Sequence, residues 1–223
     1  MLAGHIGAAL ALGRAERRVN IGVLVAAALL LDIILWLLVL VGWESVTIPG
    51  NFGSTHQAEY RFPYSHGLAA SVVWSAIAAA GAWAAYARFD SVRARAAMLV
   101  AGAVFSHWLL DALVHRPEMP LIGATSRMVG IALWDNMPVA LVVEAALVAL
   151  GIVLFIRGCV LPRGKSVTLA VLSLVVLAFT VVGMTLAPPP PSALAMAGSS
   201  LATLVVICAL FAWLGRLPRE GLA

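Results

Sequence analysis

The sequence predicts an all-α, polytopic membrane protein: six transmembrane helices preceded by a short N-terminal re-entrant helix. Three observations carry that prediction. Hydrophobic residues make up 63% of the 223 and charged residues only 11%, against roughly 45–50% and about 25% in water-soluble domains, and mean hydropathy is +1.03. Apolar runs of ~20 residues, the length that crosses a bilayer, recur between short arginine clusters. Alternating barrel strands are missing, and in hydrocarbon only helices and closed barrels satisfy their own backbones. A soluble enzyme is thereby excluded. The net charge of +4 forms no basic run suited to nucleic acid.

Taken in order, residues 2–13 are too short to span, and they precede their charges rather than follow them as a secretory signal would. A helix rising from Arg14 lifts His5 ~13 Å into the membrane at ~1.5 Å per residue, which is admissible where protein or a wet cavity covers its open end. Spans follow at residues 20–43, 67–86, 96–114, 137–156, 167–187 and 192–215, the fourth interrupted by Glu144 and the last two separated by four prolines at 188–191. Asp135 and Asn136, just ahead of Pro138, suit a cap on the fourth span. The chain reads as one transmembrane domain, with a metal-site bundle in 1–156 and two accessory spans in 157–223. No internal repeat supports an inverted-repeat transporter.

Arg14, Arg17 and Arg18 precede the first span; Arg88, Arg93 and Arg95 separate the second from the third. Arg157, Arg163 and Lys165 follow the fourth span, and Arg216 and Arg219 the last. The alternate loops hold Arg61, Arg116 and Arg127 against Glu44, Glu59, Glu118 and Asp135. The positive-inside rule places both termini in the cytoplasm. Cys159 and Cys208 lack metal-ligand spacing and read as packing residues.

Ionisable groups within spans cost ~2.5–3.5 kcal/mol each near the centre, yet several are present. Depth counting brings Asp32 and His107 level, with Asp111, His115, His66 and Glu144 between them and the outer surface and His5 rising from below. In Ser-His-Trp-Leu-Leu-Asp-Ala-Leu-Val-His, His107, Asp111 and His115 stand at i, i+4 and i+8 on one helix face. Imidazole with carboxylate suits zinc or another borderline divalent ion, although an HxxxD pair alone is equally a buried hydrogen-bonded pair. Glu144 suits either pairing with Arg116 or Arg127 or support of a ligand. His56 reads as solvated, and Trp43, Trp108 and Trp134 as interfacial anchors.

Gly4-His5, Leu31-Asp32, Tyr64-Ser65-His66 and the run from Ser106 to Asp111 resemble the bacterial inner-membrane proteins known as membrane-bound metal-dependent hydrolases, over roughly residues 1–156. That resemblance implies an all-helical membrane protein with a metal site. The ligand order is also similar, more distantly, to the zinc phospholipase C and single-strand nuclease group, which implies His5, Asp32, His66, His107, Asp111 and His115 as ligands in phosphodiester hydrolysis. The closing HxxxE pair of that group is missing here, so one or two zinc ions are expected rather than three.

The expected function is therefore an outward-facing zinc phosphoesterase acting on a lipid headgroup or another phosphoester. Asp32 and Asp111 would bridge metals or act as base, with Glu144 beside them and Arg116 gripping a phosphate bidentately. The alternatives are a proton- or divalent-metal-coupled transporter or channel, and a non-catalytic scaffold with a structural metal.

Overall fold

Apolar helices in a bilayer pack where small residues let backbones touch, and three such contacts organise this chain. A Cβ on Gly7 would stand 2.5 Å from the Leu147 carbonyl oxygen, one on Gly151 would strike the Gly7 carbonyl, and one on Gly22 would strike the backbone of Ala212. The first two join the opening helix to the seventh, and the third joins the second helix to the ninth. The computed structural model describes residues 1–158 and 161–216. Cys159 and Arg219, read above as a packing residue and a topology signal, lie outside them.

The helices are α1 (Leu2–Gly13), α2 (Ile21–Ala28), α3 (Leu30–Leu40), α4 (Phe52–Thr55), α5 (Leu68–Ala85), α6 (Asp90–Val114), α7 (Met137–Gly158), α8 (Arg163–Thr185) and α9 (Ala193–Leu214). Five of them, α5 to α9, are long and apolar enough to cross a membrane, α7 together with the 3-10 turn Leu133–Asn136 that leads into it. The expected first span is two helices bent by 50° at Leu29, making a sixth crossing if α2 and α3 count as one. Neither proline nor glycine sits at the break. Instead the Ala28 carbonyl, which would accept from the Asp32 amide in an unbroken helix, lies 2.6 Å from Nδ1 of His107. An inserted side chain is a recognised cause of kinking.

α1 is a short apolar helix buried against α2, α6, α7 and α8. Protein therefore covers it, as a non-spanning segment requires. The Glu144 carboxylate accepts from the amides of Ala3 and Gly4 at 3.1 and 3.2 Å, satisfying donors that a helix N-terminus leaves free. At the other end of the bundle, Arg18 closes on Glu16 through Nε at 3.0 Å, with Arg95 Nη1 3.7 Å from the same carboxylate. The Arg18 hydrogen bonds hold the Glu16 carboxyl below the usual glutamate range, against the opposing effect of burial.

Two short antiparallel ribbons lie in the connecting loops: β1 (Ser45–Thr47) with β2 (Glu59–Arg61), and β3 (Met119–Pro120) with β4 (Met128–Val129). The helix of the third span ends sooner than its i, i+8 pattern implied. Val114 is its last residue, and His115 is extended at φ −67° and ψ 149°. Pro117 removes an amide donor and biases Arg116 away from helix. The vacated carbonyls of Ala112 and His115 accept from Ile131 and Ala132 at 2.9 and 2.8 Å, which folds the 115–132 loop back over the helix end.

Candidate metal centre

Three stretches of chain deliver the four residues of the cluster. Asp32 stands in the first turn of α3, where free amides and the helix dipole favour a carboxylate. His107 and Asp111 are one turn apart on α6, and both are buried. His66 immediately precedes the N-cap of α5. One ligand atom from each of Asp32, His66, His107 and Asp111 falls within 4.8 Å of the others.

The contacts are closer than that limit. Asp111 Oδ2 lies 3.1 Å from His107 Nε2 and 3.4 Å from His66 Nε2. Asp32 Oδ1 lies 3.6 Å from both Nε2 atoms, and the two Nε2 atoms stand 3.1 Å apart. His115 reaches the cluster although it left the helix, with its Nε2 3.7 Å from Asp111 Oδ2. His5, fully buried, stacks on His107 at 3.7 Å between centroids and 7° between planes. Its Nε2 is 3.1 Å from Asp111 Oδ1 but outside hydrogen-bond geometry, and neither of its ring nitrogens has a hydrogen-bond partner.

The outer ring nitrogens set the chemistry of the inner ones. His107 Nδ1 faces the Ala28 carbonyl at 2.6 Å, an acceptor only. His115 Nδ1 faces Glu118 Oε1 at 2.6 Å, and an ionised carboxylate also only accepts. The Ser65 hydroxyl donates to Glu44 Oε2 at 2.7 Å, so it accepts from His66 Nδ1 at 2.8 Å. Each Nδ1 is thereby assigned a proton, and in the neutral imidazole the lone pair falls on Nε2. Three lone pairs then converge on the oxygens of two acidic side chains. Such a convergence favours a cation, and the Met1 ammonium already stands 3.4 Å from Asp111 Oδ1 on the side of the cluster facing His5; Nδ1 held by carbonyl or carboxylate is the usual support of metal-binding imidazole. The donor set of imidazole nitrogen and carboxylate oxygen fits a divalent ion.

Three supporting residues were named in the sequence without a role at the site. Ser65 and Glu44 hold His66, while Glu118 holds His115 and accepts from the Tyr60 amide at 3.3 Å. They sit in aperiodic loops; only the adjacency of Ser65 to His66 hinted at a role. Glu44 also accepts from the Tyr64 and Ser65 amides at 2.8 and 2.9 Å. Burial pushes its carboxyl above the usual glutamate value, partly offset by these hydrogen bonds.

Other expectations are redirected. Arg116 is taken by Asp135, with Nε and Nη2 each 2.8 Å from Oδ1, so its guanidinium points away from the cluster's cavity. Asp135 therefore forms this ion pair, and Asn136 alone caps α7, accepting from Val139 at 3.4 Å. Glu144 borders the cavity but binds α1 amides rather than Arg116 or Arg127. His56 and Trp134 are cavity-lining residues rather than a solvated side chain and an interfacial anchor; the Trp134 ring lies 4.5 Å from that of His115.

The cavity holds about 350 Å³. Asp32, His66, Asp111 and His115 border it, as do residues of α8 and α9. No protein-family model, no curated protein and no solved structure matches this chain.

Proposed function

We propose that the chain is an integral-membrane metal-dependent hydrolase that uses zinc to cleave a phosphoester, in a lipid headgroup or another carrier, at the outer face of the bacterial plasma membrane. The observation that carries this reading is the convergence of the Nε2 atoms of His66 and His107 on Asp32 and Asp111 beside a cavity large enough for a substrate. Asp32, His66, His107 and Asp111 would hold the first ion. Asp111 turns its second oxygen toward His5 at 3.1 Å, but that oxygen accepts from the Met1 amine at 3.4 Å, so a second ion held by these two residues would have to displace the amine. Zinc bound there supplies Lewis acidity and lowers the pKa of water toward ~7. Asp32 is the most open of the ligand carboxylates, its side chain 23% exposed, and it borders the cavity where it can take a proton from an attacking water. His66 and His115 are kept from turning by Ser65 and Glu118. Phosphate gripping is not assigned to Arg116, which Asp135 occupies.

The resemblance to membrane-bound metal-dependent hydrolases and the ligand order shared with zinc phospholipases support the same reading. A structural metal would need only four protein ligands and no open side. A transporter needs a polar route onward. Toward the arginine-bearing ends of their helices, the next side chains are Ile6 and Leu10 on α1, Leu24 on α2, and Val100, Ala103 and Val104 on α6, all buried and apolar.

Elemental analysis of detergent-purified protein is the test. Zinc is expected in the wild type and in Cys208→Ala, and lost from His107→Ala and Asp111→Ala. Unchanged metal in His107→Ala would overturn the ligand set, and metal-free wild type the whole reading.

A further inference from the structure

The last two helices are neighbours in sequence that hardly touch. α8 packs on α7 and α1, while α9 packs on α2 and α3, which leaves a fissure between them. Phe179, Gly183 and Met184 line the cavity from one side, and Met196, Ser199 and Thr203 from the other. Three of the four hydroxyls on these walls are turned inward on their own helices, Ser200 being the fourth. Thr180 donates to the Val176 carbonyl at 2.9 Å, Ser199 to Met196 at 3.1 Å and Thr203 to Ser199 at 2.9 Å. Beside the Ser200 hydroxyl, the lining from these two helices is mostly methyl, methylene, thioether and phenyl.

On the aqueous side the cavity has a roof. Phe52, His56, Gln57, Ala58 and Tyr60 line it there, and Gln57 Nε2 donates to the Trp134 carbonyl at 2.8 Å. The Glu118 carboxylate ties the Tyr60 amide to His115. The roof is pinned at both ends, whereas among the described residues α8 and the end of α9 are tied by a hydrogen bond at the far end of the helices, from Lys165 Nζ to the Arg216 carbonyl at 2.6 Å. Because α8 and α9 are apolar spans, the medium outside the fissure is lipid.

We propose that the substrate is a membrane phospholipid whose acyl chain enters sideways between α8 and α9 while its headgroup phosphate meets the Asp/His cluster, an inference that rests on the metal-hydrolase reading above. Residues 163–214 thus form the lipid-binding half of the site, and Gly183 sets the width of its door.

Gly183 is suited to a test because nothing lies within 4 Å of where its Cβ would stand, and the same is true of Gly198, which does not line the cavity. Wild type, Gly183→Trp, Ser199→Trp and the control Gly198→Trp would be placed in nanodiscs containing phosphatidylglycerol with a diazirine near the end of one acyl chain. Photolabelled peptides are then mapped by mass spectrometry. Bulk lipid reaches the outer faces of every span, but Leu35, Trp36 and Phe62 are buried cavity residues and are labelled only by a chain inside. Their labelling is expected in wild type and in Gly198→Trp, and is expected to fall about tenfold, a loss of ~1.4 kcal/mol in binding, in the two plugging variants. Absence of interior labelling, or labelling indifferent to both plugs, would overturn the lipid entry. Zinc content measured on the same samples judges the metal reading separately: interior labelling in metal-free protein would keep the lipid site and sink the hydrolase.

Discussion

An imidazole has two nitrogens, and the partner of one decides what the other offers. In this site the deciding partners are a main-chain carbonyl, a hydroxyl and a carboxylate, each from a different stretch of chain. Removing one leaves the ligand in place but free to turn or change tautomer. Ser65→Ala and Glu118→Ala are therefore expected to lower zinc affinity by about 10–100-fold, measured by competition with a chromophoric chelator, while the helical circular dichroism is retained. Glu16 gives a prediction of opposite kind. Its carboxyl titrates below the usual range because Arg18 hydrogen-bonds it. The stability it contributes is present above the ordinary glutamate pKa and disappears as pH falls through the lowered value. Glu16→Gln should lower the melting temperature at neutral pH and have no effect in acid below the glutamate range; equal effects at both would show that the pair contributes nothing.

At the scale of elements, the sequence reading succeeded where one helix carries its own information. His107 and Asp111 are one turn apart, so their shared face follows from helix geometry alone. It failed where two distant stretches act on each other. The break at Leu29 coincides with an imidazole that meets the Ala28 carbonyl from 79 positions further along the chain, and no residue near Leu29 announces it. Arg116 was assigned to phosphate by its place beside the ligands, but Asp135, 19 positions away, claims it. The loop ligand-holders Glu44 and Glu118 were legible only as charges balancing outer arginines. α1 was legible as a non-spanning helix, and its seat was not, because it depends on Gly7 meeting the Leu147 backbone. Gly7→Val should unseat α1 and lower the melting temperature, since the obstructing atom is main chain and cannot swing aside. Glu144→Ala strands two buried amides at ~1–3 kcal/mol each. Both variants are expected to bind less zinc; full zinc content in both would show that α1 is dispensable to the site.

Across the whole molecule, the arginine clusters make a prediction about sidedness. In a background without Cys159 and Cys208, a cysteine at Gly53, exposed with open space around it, should react with an impermeant maleimide on intact cells, and one at Arg88 only after lysis. The reverse pattern would turn the site toward the cytoplasm. Every proposed ligand lies between His5 and His115, yet a chain cut after residue 136 is expected to retain no zinc on purification. The reason is the backbone contacts that opened the description of the fold. α1 is seated against α7, and α2 against α9, helices that leave the ribosome long after the ligands have been made. The first helix has to wait at the membrane for a groove that does not yet exist. The seat of the centre is thus completed in reverse order of synthesis, and any metal it takes would be held only once the final helices are in the bilayer.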